Sequence, residues 1–170
     1  MSSSPSKGAK APIRVCFVCL GNICRSPTAE ATFVRAVKDA GLSDAFVIDS
    51  AGTGGWHEGE RADARSRAAA ARRGIDVTSI ARKWRAGDFD RFDYVLAMDR
   101  QNRADLVALA PTDAARAKVE LFRIHDPGAA PDAEVPDPYY GGEDGFDHVL
   151  DLCEAASRGL LATLKKRHDL

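Results

Sequence analysis

The segment Cys19-Leu20-Gly21-Asn22-Ile23-Cys24-Arg25-Ser26 holds the densest potential chemistry in the chain. It follows the apolar run Val15-Cys16-Phe17-Val18 and precedes Pro27, a residue type that commonly opens helices. The pattern predicts a cysteine at a strand end, then a short loop, then a helix starting at Pro27 with Ser26 as its cap. Loop amides, the helix dipole and the Arg25 guanidinium would converge on one point, which suits an oxyanion above a thiolate. Helix N-termini and nearby cations can bring a thiol pKa from ~8.5 down to ~3.5–7.5. Arg25 can grip two phosphate oxygens with its planar fork, which lysine could not. Gly21 permits a turn that exposes amides, and Asn22 tolerates left-handed backbone. Such a site suits in-line attack of sulfur on phosphorus.

A phenol or alcohol leaving group needs a proton. The histidines at 57, 125, 148 and 168 show no tie to the cysteine loop. A carboxylic acid of the 126–145 stretch is the better donor, and spacing alone does not choose among Asp126, Asp132, Glu134, Asp137, Glu143 and Asp144. Asp137 stands out because Pro138 stiffens the chain after it and Tyr139 and Tyr140 could exclude water.

These residues need elements to hold them. Ile13–Val18, Phe46–Ile48, Tyr94–Met98 and Val119–Phe122 read as buried strands. Asp49-Ser50-Ala51-Gly52 reads as the turn that closes the second, followed by a Gly-rich loop carrying Trp56. Asp63 starts an Ala/Arg-rich helix ending at Gly74, and Asp99 caps another that ends at Pro111. Phe146, Val149, Leu150, Cys153, Leu160 and Leu164 recur at helical spacing in the last segment. Strands alternating with helices predict an α/β fold: one domain, a four-stranded parallel sheet with helices on both faces, and the cysteine loop after the first strand. Ligands of such sheets bind beyond the C-terminal strand ends. The cysteine loop, the Ser50–Trp56 region, Asp99 and the long loop all fall there.

The chain has 170 residues, 45% hydrophobic and 29% charged, with a net charge of −1. That balance suits one globular domain and gives no bulk pull toward nucleic acid. Residues 1–11 read as a disordered leader without the apolar core of a signal peptide, and no run is long enough to span a membrane, so a cytoplasmic location is expected. Four cysteines are too few for a disulfide framework. Cys16 and Cys153 read as core packing. Cys24 is either packing or a resolving thiol for Cys19. Ser50 and Asp99 read as turn and cap residues, and the arginines of 61–85 as a solvated face.

Val18 through Pro27 resembles the phosphate loop of the low-molecular-weight protein tyrosine phosphatases. Asp137-Pro138-Tyr139-Tyr140-Gly141 resembles their general-acid loop. Ser50-Ala51-Gly52-Thr53 and Phe92 through Asp99 resemble further family segments in the same order, and Gly54-Gly55-Trp56-His57 resembles the bacterial branch. The likeness spans about residues 12–167, and the phosphatase domain is expected over residues 12–168. It implies a protein-tyrosine phosphatase that needs no metal or other cofactor. Cys19 would be the nucleophile, Arg25 the phosphate binder and Asp137 the general acid and then base. Ser26 would hydrogen-bond the sulfur. Gly21, Asn22, Ile23 and Cys24 would complete the phosphate loop. Leu20, Trp56, Tyr139 and Tyr140 would line the slot for the ring, with Asn22, Ser50 and Asp99 supporting the loop. Cys24 matches the family's second cysteine, which can pair with the nucleophile on oxidation. The implied partners are tyrosine-phosphorylated proteins, with inorganic phosphate or other oxyanions as inhibitors, and neither nucleic acid nor membrane insertion. One departure is Ser79, where family members often carry a histidine.

Three other readings remain. Arginine phosphatases of this fold place threonine where Ile23 stands, and the branched apolar side chain should favour an aryl ring. Thiol-dependent arsenate reductases need further redox cysteines, and residues 25–152 contain none. A phosphate reader without catalysis would not need both Cys19 and Asp137.

Overall fold

The computed structural model describes residues 10–138, 142 and 144–170. The expected leader therefore lies mostly outside the described residues, as do Tyr139, Tyr140, Gly141 and Glu143. Four strands form one parallel sheet: β1 (Ile13–Cys19), β2 (Phe46–Gly52), β3 (Tyr94–Ala97) and β4 (Val119–Leu121), in the order β2-β1-β3-β4. The helices are α1 (Arg25–Asp39), α2 (Ala64–Ala71), α3 (Asp88–Arg91), α4 (Arg100–Leu109), α5 (Asp113–Ala117) and α6 (Asp144–Arg167).

β1 lies between β2 and β3 and is covered on both faces, which explains its unbroken apolar run. Ile13, Val15, Phe17 and Cys19 point into a core with Phe33 and Val37 of α1 and Leu160 and Leu164 of α6. Cys16 and Val18 point the other way, against Trp84, Phe89, Val95 and Leu106. Phe17 meets Phe33 and Phe122 edge to face, with ring centroids 5.7 and 5.0 Å apart. Cys16 and Cys153 are fully buried core side chains.

Several boundaries differ from the sequence reading. Asp49 to Gly52 is not a turn but the end of β2, because Cys16–Cys19 of β1 offers each of these residues a parallel partner. α1 begins at Arg25 rather than Pro27, and Ser26 does not cap it. Thr28 N–H donates to the Cys24 carbonyl, closing the first turn two residues early, and proline is tolerated there because a first-turn N–H needs no partner. α2 ends at Ala71, short of Gly74, although Asp63 caps it as expected, accepting from Arg65 N. α3 and α5 leave no signal in the sequence, because four and five residues are too few to show a period.

The loop from Asp126 to Pro138 is tied down in its middle. Val135 is fully buried, and its N–H donates to the Met98 carbonyl at 2.7 Å. Arg123 Nη1 donates to the Glu134 carbonyl at 2.9 Å. These ties bring the following residues back over the C-terminal end of β3.

Candidate active site

Cys19 ends β1, and its sulfur is enclosed by the loop that follows. The Asn22 backbone N–H donates to Sγ at 3.2 Å, and Ser26 Oγ lies 3.0 Å from it. The loop turns this tightly because Asn22 is left-handed, at φ 57°. Gly21 is not left-handed; its lack of a side chain matters for space, since a Cβ there would meet His57 Cδ2 at 3.1 Å. Asn22 is also fixed from outside. Its Nδ2 donates to Ser26 Oγ at 2.8 Å and to Ser50 Oγ at 3.0 Å, while its Oδ1 accepts from Arg82 N at 3.0 Å. All four Asn22 side-chain and backbone polar roles here serve to hold one loop shape, an arrangement that disfavours reorganisation during reaction.

Arg25, the first residue of α1, is buried, with its side chain 5% exposed. Nη1 donates to Asp99 Oδ2 at 2.6 Å and to the Val135 carbonyl at 3.3 Å, and Nη2 lies 3.7 Å from Asp137 Oδ2. Asp99 also caps α4, accepting from Asn102 N at 2.7 Å. It thus acts as the cap that the sequence suggests and, with its other oxygen, as the buttress of the guanidinium. Burial opposes charge on Arg25, but Cys19, Asp99 and Asp137 outweigh it and hold the guanidinium firmly protonated.

A cavity of about 320 Å³ opens over the sulfur, lined by Cys19, Leu20, Gly21, Ile23, Cys24, Arg25, Trp56, His57 and Asp137. A cysteine sulfur, a guanidinium, a carboxyl and apolar walls therefore meet in one place. Asn22, Ser26, Ser50 and Asp99 stand behind this lining rather than in it. Tyr139 and Tyr140 lie outside the described residues. Cys24 is both a lining residue and a packed one, in an apolar cluster with Ala62, Ala69 and Phe146. Burial, with Asp63 nearby, pushes its thiol up to about 12, so it is protonated and a poor nucleophile near neutral pH.

Four features escaped the sequence reading. His57 shows no tie to the loop in the sequence, yet it lines the cavity against Gly21. Arg82 does not belong to a solvated face: its guanidinium donates to Asp49 and Asp88 at 3.1 and 3.0 Å, and its backbone N–H donates to Asn22 Oδ1. Trp84 packs at 3% exposure, with its ring 5.0 Å from that of Phe89, and its backbone N–H donates to the Gly52 carbonyl at 2.7 Å. Glu30, on α1, accepts from Ser50 Oγ at 2.5 Å. Burial, reinforced by Asp49 and opposed by the Ser50 bond and Arg82, raises its carboxyl to about 7. Helical spacing carries a faint signal for Glu30 alone: it lies four residues after Ser26, on the same face of α1. Ser79 has a buried hydroxyl without a hydrogen-bond partner among the described residues, and with Glu30 and Asp76 it lines a small hollow of about 50 Å³.

Among the described residues, no group of three His, Cys, Asp or Glu side chains is arranged to hold a metal ion. No helix of the described residues is long and apolar enough to cross a membrane. The arrangement around Cys19 can present a sulfur to a tetrahedral oxyanion, with one guanidinium beside it and one carboxyl above.

Known proteins resemble this chain in sequence and in fold. Residues 14–170 match the family described as low molecular weight phosphotyrosine protein phosphatase. A low molecular weight protein-tyrosine-phosphatase of Streptomyces coelicolor is 53% identical over 91% of this chain and 94% of its own length. A protein tyrosine phosphatase from Entamoeba histolytica superposes with a TM-score of 0.88 at 40% identity, covering 92% of this chain and 99% of that one. A Drosophila arginine phosphatase superposes with a TM-score of 0.83 at 32% identity, covering 90% and 98%. Sequence and fold agree over most of the chain's length: the chain belongs to the low molecular weight phosphotyrosine protein phosphatase family.

Proposed function

We infer that Cys19, Arg25 and Asp137 hydrolyse phosphotyrosine in protein substrates through a cysteinyl-phosphate intermediate. The observation that carries this reading is the meeting of Cys19, Arg25 and Asp137 in one cavity with apolar walls. In the first half-reaction the Cys19 thiolate attacks phosphorus, an S–P bond forms and the P–O bond to the phenol breaks. Asp137 delivers its proton to the departing phenol oxygen. Charge on the equatorial oxygens is met by the Arg25 fork and by amides of the 20–25 loop. In the second half-reaction water attacks phosphorus, the Asp137 carboxylate takes its proton, and the S–P bond breaks. The Ser26 hydroxyl, 3.0 Å from the sulfur, donates to the returning thiolate. Leu20, Ile23 and Trp56 supply an apolar slot for the ring, and inorganic phosphate, as product, competes for the same loop.

Ile23 favours an aryl ring over the guanidinium of phosphoarginine, which would need polar partners along the slot. A thiol nucleophile also suits a reducing compartment such as the cytoplasm.

The test is hydrolysis of p-nitrophenyl phosphate, a phosphotyrosine peptide and a phosphoarginine peptide by wild type, Cys19→Ser and Asp137→Ala. Cys19→Ser should abolish turnover. Asp137→Ala should slow the phosphotyrosine peptide by about 10²–10⁴-fold, and p-nitrophenyl phosphate, with its better leaving group, by less. Full activity of Cys19→Ser, or preference for phosphoarginine, would overturn the reading.

A further inference from the structure

Three of the eight exposed large hydrophobic side chains among the described residues meet at one place. They are Leu20 at 43% exposure, Trp56 at 71% and Leu109 at 53%. Together with Thr53, Asp105 and Ala108 they line a shallow groove of about 330 Å³. The groove is continuous with the catalytic cavity, because Leu20 and Trp56 belong to both. Gly54 fixes this partition. The Trp56 ring lies directly on the Gly54 backbone, and a side chain at 54 would push the indole out of this position. The far wall is α4, whose buried side is anchored by Leu106 and whose start is capped by Asp99.

A phosphotyrosine anchored at Cys19 must carry its own main chain across the rim of the cavity. On the side of Leu20 and Trp56, the next side chains of the substrate pass over the groove. Leu20, Trp56, Ala108 and Leu109 make most of its wall apolar, while Thr53 adds a hydroxyl and Asp105 a carboxylate. Single exposed apolar residues need no explanation, but a contiguous set beside a binding cavity does. We propose that the Leu20–Trp56–Leu109 groove is a specificity subsite for an apolar side chain neighbouring the phosphotyrosine, with Asp105 favouring a basic residue beside it.

The proposal rests on the phosphatase reading above, and the experiment separates the two. A set of phosphotyrosine peptides carries leucine or serine at each of the two positions on either side of the phosphotyrosine, with or without an adjacent lysine. kcat/KM is measured for wild type, Leu109→Ser and Asp105→Asn, with p-nitrophenyl phosphate as the substrate that cannot reach the groove. Leucine on one side should raise kcat/KM roughly tenfold, the factor from partly burying one such side chain. Leu109→Ser should remove that gain, and Asp105→Asn should remove only the lysine gain. Both variants should leave p-nitrophenyl phosphate turnover unchanged. Peptides hydrolysed without side-chain preference, or a preference that survives Leu109→Ser, would overturn the subsite while leaving the activity intact. No hydrolysis of any phosphotyrosine peptide would overturn the activity itself.

Discussion

Replacing Glu30 with glutamine should make the protein more stable at alkaline pH. The Glu30 carboxyl is raised from 4.5 to about 7, chiefly because burial disfavours its charge, with Asp49 adding repulsion. Its surroundings are otherwise the Ser50 hydroxyl, Arg82, and the hollow shared with Asp76 and Ser79. Between pH 4.5 and about 7 the folded chain holds one proton that the unfolded chain has released. Stability therefore falls with rising pH by ~1.36 kcal/mol per unit in this window, about 3 kcal/mol in all. The contribution is fully present below 4.5 and lost as pH rises through about 7. Glutamine keeps the neutral shape and an oxygen to accept from Ser50, but has no proton to lose. Urea unfolding of wild type and Glu30→Gln at steps from about pH 5 to about pH 8 isolates the effect, because every other titration is common to both. The stability of the variant relative to wild type should grow by about 2–3 kcal/mol across that range. A difference that stays flat would refute the view that this carboxyl is held neutral by burial.

Three further outcomes follow from named contacts. Gly159→Ala should destabilise by about 1–3 kcal/mol despite alanine's better helix propensity, because the added Cβ would fall 1.7 Å from the His125 carbonyl oxygen; chemical denaturation measures it. Asp99→Asn should keep the α4 cap yet remove the charge beside Arg25, lowering kcat/KM with little change in Tm, whereas Asp99→Ala should also cost about 1 kcal/mol from the lost cap. Ser26→Ala should slow breakdown of the cysteinyl phosphate more than its formation, so rapid-quench kinetics with p-nitrophenyl phosphate should show a burst of phenol release that wild type shows less of.

The strand pattern and the cysteine loop were legible because their determinants are local. Val15 to Cys19 is apolar on both faces, and a central parallel strand is the structure that buries both. Asp63 and Asp99 announce their helices by capping them, which needs only neighbouring amides. The same reasoning misplaced the start of α1. Ser26 has the chemistry of a cap, but its hydroxyl is taken by Cys19 and Asn22, a preference set by the sulfur seven residues away. It also shortened β2, since Asp49 and Ser50 look like turn residues until β1 supplies their ladder partners.

By itself, the sequence determined that a cysteine, five loop residues and an arginine join a strand to a helix, and that an aspartate far downstream could supply a proton. These are properties of residue type and short spacing. Only the tertiary structure decided what holds them. Arg82 reaches Asn22 from 60 positions away, Ser50 links it to Glu30, and Val135 brings the acid loop over Arg25. His57 enters the cavity from a Gly-rich loop that has no periodic signal. Through-space contacts of this kind depend on how strands and loops stack beyond the sheet's C-terminal edge, and no local pattern of residues encodes that stacking.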